Sequence, residues 1–282
     1  MSWIFVTYSL LIFDGGVFSG LSYSSFTIQN EPVIQNIKND DRSIHVKILL
    51  GSGGIRTAER KALYIREVKQ HFRDLQRVLF IPYALNDHEN YLKMIYEKGL
   101  SADYELEGIH HFTDPVRAVL DADALYIGGG NSFRLLYHLY EKDLLEPIRQ
   151  RVEGGMPYLG VSAGSNVACP TIQTTNDMPI IMPHRFESLG LVSFQINPHY
   201  FNGQTYNRQD NELKEHFGET RDQRIREYHE VNSIPVIGLK EGSFLRVIDG
   251  QITLVGNSAR IFRKDSAAID VGGLDETLEI QI

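Results

Sequence analysis

Between residues 46 and 162, short apolar runs alternate with helical stretches five times. The runs are 46–50, 77–82, 104–109, 122–127 and 156–161. The helical stretches between them are 57–73, 89–98, a short one opened by Asp114-Pro115, 132–140 and 144–152. Few folds accommodate that pattern. It predicts an α/β domain of three layers, a mostly parallel sheet with helices on both faces. In such sheets ligands gather at the carboxyl ends of the strands. Gly51-Ser52-Gly53-Gly54 ends the first apolar run, and Gly128-Gly129-Gly130-Asn131, at the end of the fourth, is one pointer to that edge. The first is not a dinucleotide loop, because Arg56 stands where G-x-G-x-x-G needs its last glycine.

The fifth apolar run leads into Gly160-Val161-Ser162-Ala163-Gly164. This is G-x-S-x-G, the pattern of a nucleophile elbow after a central strand. Its glycines let a strand turn sharply into a helix, and the serine hydroxyl stands clear of the sheet. A developing oxyanion would meet the Ala163 N–H and an N–H from the triple-glycine loop, at Gly129 or Gly130. Serine needs a base within hydrogen-bond reach. His199 follows a predicted strand at 191–196, which sets it at a sheet edge. His184 lies in a loop and is the weaker candidate. The histidine in turn needs an acceptor. Glu241, just past the predicted strand 235–239, and Asp177, in the loop after the elbow, both qualify. Arg221 and Asn131 are the candidate substrate-binding residues, with Arg134 and Arg185 the weaker alternatives to Arg221. An arginine fork matches a carboxylate with two hydrogen bonds.

Cys169, the only cysteine, excludes an internal disulfide and reads as a buried small hydrophobe. His110-His111 are adjacent, and neighbours in an extended chain face opposite ways. With no H-E-x-x-H and no cysteine cluster, neither a metal nor another cofactor is expected. Net charge is −8. No basic stripe with interleaved aromatics occurs, so nucleic acid is not an expected partner.

The first 44 residues read as an N-terminal extension. Its apolar part, 3–13, is shorter than the roughly 20 residues of a membrane span and lacks a basic lead, so no membrane association is expected. After the elbow a polar loop carries Gly218-Glu219-Thr220-Arg221. A helix then runs to about Glu230, and short strands follow at 235–239, 244–248, 252–255 and 259–262. Asp249-Gly250 marks a hairpin. Residues 45–263 are the expected catalytic domain, and 264–282 read as a tail.

Taken together, several of these stretches resemble the peptidase E family, the alpha-aspartyl dipeptidases. They are Gly128-Gly129-Gly130-Asn131, Gly160-Val161-Ser162-Ala163-Gly164, Cys169-Pro170-Thr171, Thr174-Thr175-Asn176-Asp177-Met178-Pro179, Ile196-Asn197-Pro198-His199 and Gly218-Glu219-Thr220-Arg221. The resemblance implies a serine peptidase on a class I glutamine amidotransferase-like (flavodoxin-like) sheet, free of metal and cofactor. It implies cytoplasmic cleavage of dipeptides with an N-terminal aspartate, and leaves homodimer formation open. It sets the nucleophile on Ser162 and the base on His199, and leaves the acid between Asp177 and Glu241. A cyanophycinase-like hydrolase of β-aspartyl peptides and a non-catalytic binding member of the same fold are the alternatives. This chain departs from the family at Gln173, where a basic residue is expected, and at the glycine-rich end of the first strand.

Overall fold

The computed structural model describes residues 45–75, 77–209, 212–272 and 276–278. The extension at 1–44 lies outside them. Five strands carry the alternating part of the chain: β1 (Lys47–Gly51), β2 (Arg77–Ile81), β3 (Glu105–Gly108), β4 (Leu125–Ile127) and β5 (Tyr158–Val161). They run parallel in the order β1-β5-β4-β2-β3. Ile48, Leu49 and Leu50 are consecutive and all buried, as strands covered on both faces must be.

One face is covered by α1 (Ala58–Phe72) and α2 (His88–Glu97), where Leu49, Phe80, Tyr64, Val68, Tyr91 and Leu92 share a core. The other face is covered by α3 (Pro115–Asp121), α4 (Ser132–Glu141), α5 (Leu145–Glu153) and α6 (Ala163–Ala168), packing Leu50, Ile81, Val119, Leu135, Ile148 and Val167 together. Each such side chain contributes about 1.5–3 kcal/mol on burial. Thr57, Asp87, Asp114 and Asn131 start α1 to α4, each side chain accepting the backbone N–H three residues on. Those caps satisfy donors that a helix leaves open.

The rest of the chain holds β6 (Gln195–Tyr200), β7 (Thr205–Gln209), β8 (Glu212–His216), α7 (Arg221–Val231), β9 (Val236–Lys240), β10 (Ser243–Ile248), β11 (Gln251–Gly256), β12 (Ala259–Phe262), β13 (Ile269–Val271) and β14 (Glu276–Leu278). β10, β11 and β14 extend the main sheet antiparallel beyond β1, so five of its eight strands are parallel. β13-β12-β9-β6 form a second sheet in which β6 and β9 are parallel. The chain passes from the second sheet to the first through Glu241-Gly242, between β9 and β10. Among the described residues no helix is long and apolar enough to cross a membrane.

Four local expectations fail for physical reasons. The strand expected at 191–196 begins only at Gln195, because Gly190, Leu191 and Val192 donate their N–H groups to Cys169 and Ala168 at the end of α6. The polar loop before α7 contains the antiparallel hairpin β7–β8, which lacks apolar alternation: Tyr206 and Leu213 are both exposed. Where a tail was expected after residue 263, β13 and β14 each add an edge strand. Finally, Ile109–His111 form a 3₁₀ turn instead of an extended strand end. The His110 and His111 rings therefore lie on one side, with centroids 4.2 Å apart.

Candidate active site

Ser162 is the single residue between β5 and α6, with φ 56° and ψ −107°. A non-glycine residue in that region is strained, and such strain concentrates at functional sites. Two close approaches hold the turn. A Cβ on Gly160 would lie 2.5 Å from the Gly164 carbonyl oxygen, and one on Gly164 would collide with the Ile127 carbonyl of β4. The Ser162 N–H donates to the Gly51 carbonyl at 2.9 Å. The Ser165 hydroxyl lies 2.9 Å from the carbonyl oxygens of both Gly51 and Gly160.

His199 comes from the second sheet. It lies within β6, at the irregularity between Asn197 and Tyr200, and also has a positive φ of 54°. That backbone turns its imidazole toward the main sheet. Nε2 lies 2.7 Å from Ser162 Oγ, and Nδ1 lies 2.8 Å from Glu241 Oε1. Glu241 occupies the crossing between the two sheets. The His199 and Glu241 side chains are 40% and 37% exposed, so substrate can reach the relay. The His199 hydrogen bond holds the Glu241 carboxyl below its usual range against the opposing effect of burial, helped by the His199, Arg60 and Arg56 charges. An ionised Glu241 takes the Nδ1 proton as its hydrogen bond, which leaves the Nε2 lone pair facing the serine. This arrangement can accept the serine proton and stabilise the resulting imidazolium.

Asp177 is placed elsewhere. Its Oδ2 accepts from the Ser132 N–H and hydroxyl, both at 2.7 Å, and from the Thr175 hydroxyl at 3.0 Å. It ties the loop after α6 to the start of α4, immediately past the triple glycine. The neighbouring Asn176 donates to the Pro198 carbonyl at 2.6 Å and accepts from Asn197 Nδ2 at 2.7 Å, which fixes the backbone on which His199 sits. His184 is bound to Glu141 at 2.6 Å and is not part of the cluster.

The oxyanion candidates divide. Ala163 opens α6, where a helix leaves its N–H without an intrahelical partner. Gly129 packs on Ser162, since a Cβ there would lie 3.1 Å from the Ser162 Cβ. Gly130, with φ 136°, is the other candidate donor of this loop. Asn131 is used within the fold: Oδ1 caps α4 and Nδ2 donates to the Met178 carbonyl at 2.8 Å. Arg221 is the first residue of α7. It donates to Asn176 Oδ1 and stands over the Phe201 ring, 5.6 Å from its centroid. Burial, and then Arg224, push its pKa down, while Asp177 opposes the shift. Cys169 is buried, and burial pushes its thiol up to about 12, which leaves it inert as a nucleophile.

Sequence reasoning passed over the first glycine run. Ser52 accepts from the His199 N–H and donates to the Leu239 carbonyl, both at 2.9 Å. A Cβ on Gly53, at φ 109°, would lie 2.9 Å from His199 Cε1, and one on Gly54 would overlap the Glu241 carboxylate. The run packs against His199 and Glu241. Its position at the end of β1 was the available signal, and the failed fingerprint diverted attention from it.

Residues 47–255 match peptidase family S51. A peptidase E of Streptomyces coelicolor is 46% identical over 212 residues, covering 73% of this chain and 83% of the relative. A "Probable alpha-aspartyl dipeptidase" of Drosophila melanogaster is 40% identical over 219 residues, covering 75% and 88%. Among solved structures, a peptidase from an acI-B1 Actinobacterium shares the fold with a TM-score of 0.58 at 16% identity, over 84% of this chain and 98% of that one. On a match over most of its length and at this identity, the chain belongs to peptidase family S51.

Proposed function

We propose that the chain is a serine dipeptidase that hydrolyses dipeptides with an N-terminal L-aspartyl residue through an acyl-enzyme on Ser162. The observation that carries the reading is the continuous relay Ser162–His199–Glu241, with contacts of 2.7 and 2.8 Å. Names of relatives that are peptidase E and alpha-aspartyl dipeptidase supply the substrate class. We read the β5–Ser162–α6 turn as a nucleophile elbow on a class I glutamine amidotransferase-like sheet. Residues 45–263 are the proposed catalytic part, and residues 1–44 an extension outside it. The lone buried thiol suits a reducing, cytoplasmic setting.

In this reading His199 Nε2 takes the Ser162 proton as Oγ attacks the scissile carbonyl. The oxyanion is met by the Ala163 N–H and a donor of the glycine loop. His199 then protonates the leaving amine, and the second residue of the dipeptide departs. Water, deprotonated by the same imidazole, releases aspartate. Glu241 stays ionised throughout and holds the imidazole in the productive tautomer.

A panel of Asp-Leu, Asn-Leu, Glu-Leu and β-aspartyl-leucine tests the substrate class, and a fluorophosphonate label tests Ser162. The expected result is rapid cleavage of Asp-Leu alone, with covalent label on Ser162. Preference for the β-linked peptide would overturn the α-aspartyl assignment. An unlabelled, inert Ser162 would overturn catalysis itself.

A further inference from the structure

A second cluster of chemistry-bearing side chains lies at the carboxyl end of β3, with β2 and β4 separating that strand from β5. The 3₁₀ turn Ile109–His111 presents both its imidazoles to one acid on the first turn of α2. His110 Nε2 lies 3.2 Å and His111 Nε2 2.7 Å from Glu89 Oε2. One ligand atom from each of the three residues lies within 4.8 Å of the others. From this geometry we propose that Glu89, His110 and His111 bind a divalent transition-metal ion of the Zn²⁺ type.

The spacing suits such an ion. Tetrahedral Zn²⁺ with bonds of about 2.0–2.1 Å sets its ligand atoms about 3.3 Å apart. To admit it, the His110 contact of 3.2 Å needs almost no opening and the His111 contact of 2.7 Å needs about 0.6 Å. Two imidazoles and one carboxylate favour Zn²⁺, Ni²⁺ or Cu²⁺ over Mg²⁺ and Ca²⁺, which take oxygen ligands. The fourth position is left to water.

The fold also shapes the turn for these rings. A Cβ on Gly108 would lie 2.8 Å from His110 Nδ1 and closer still to Cε1, so the ring folds back only over a glycine. His110 Nδ1 is buried with no hydrogen-bond partner, and the ring's one polar outlet is Nε2, on Glu89. Metal ligation at Nε2 moves the ring proton from the Glu89 side to that unpaired nitrogen, a cost that lowers affinity by about tenfold to a hundredfold. His88, the residue before Glu89, puts a further imidazole beside the cluster, with its ring centroid 5.5 Å from that of His110.

Titration of the full chain with Zn²⁺ alone, by calorimetry after exhaustive chelation, tests the proposal. About one equivalent should bind. His111→Ala and Glu89→Gln, both at exposed positions, should each weaken binding at least tenfold while melting like the parent chain. His199→Ala should leave this binding intact. Absence of Zn²⁺ uptake, or uptake unchanged in both cluster variants, would overturn the site. Uptake abolished by His199→Ala would do the same, because the ion would then sit on the serine–histidine relay.

Discussion

The two halves of the relay are built differently. Ser162 is positioned by one contiguous stretch, Tyr158 to Asn166, and by the strands on either side of it. Its turn, its glycines and the first residue of α6 are all neighbours in the chain. His199 and Glu241 are 42 residues apart and meet only because β6 and β9 pair in a second sheet. Ser52, Gly53 and Gly54, at the end of β1, then fit against them from the first sheet. The proposed nucleophile half is a local motif. The proposed acid–base half is a product of tertiary structure, and small errors in how the two sheets meet would fall on it.

The largest effect comes from breaking the local half. Ser162→Ala removes one oxygen and leaves the turn's glycines in place. Turnover of Asp-Leu should fall on the order of 10⁶-fold, with little change in melting temperature. Retention of more than a tenth of the activity would mean that the relay is not the reacting centre.

The next test separates the two acids. Glu241→Gln leaves His199 Nδ1 facing an amide that can turn its NH₂ to the ring and select the wrong tautomer. A loss of about 10⁴ in kcat is expected, as for a triad acid. Asp177→Asn should act mainly on KM, because Asp177 secures Ser132 and Thr175 and does not touch the imidazole. If Asp177→Asn gave the larger loss in kcat, the assignment of the acid would reverse. Stability supplies a second readout. The folded Glu241 carboxyl is held low by His199, so its contribution is present above the ordinary carboxyl pKa of about 4.3 and is lost as pH falls through the folded value. The gap in melting temperature between the parent chain and Glu241→Gln should therefore narrow on acidification.

This contrast also explains what could be read from the sequence. G-x-S-x-G marks Ser162 because all its constraints are local. The parallel strands and the covering helices were visible in apolar periodicity and caps. His199 could be reached only by its position after an apolar strand, and that strand proved to start later and to include it. Choosing between Asp177 and Glu241 required knowing which loop crosses which sheet, and no spacing carries that. Ser52 to Gly54 resembled a failed phosphate loop because glycine allows close approach to any group, a histidine ring included. The pair His110-His111 was misread through one dihedral assumption: a 3₁₀ turn in place of a strand end brings two rings to one carboxylate.

The smallest of these effects belongs to Arg221, where the two halves share a wall. Its guanidinium bonds Asn176, the residue that also holds Pro198 and Asn197 beside His199. It thus stands one residue's contacts from the base, half-buried, with Phe201 beneath it. A carboxylate entering the site must shed water, which is costly unless a cation meets it, and the arginine fork supplies two parallel hydrogen bonds. A charged hydrogen bond contributes roughly 1.5–3 kcal/mol. Arg221→Met should therefore lower kcat/KM for Asp-Leu by about tenfold to a hundredfold, and should affect residual Asn-Leu cleavage far less, since Asn-Leu has no side-chain charge to pair. Equal losses on both substrates would instead mean that Arg221 acts through Asn176 to hold His199. Its role would then belong to the acid–base half, and the selecting cation would lie elsewhere, with Arg134 and Arg185 the next to test.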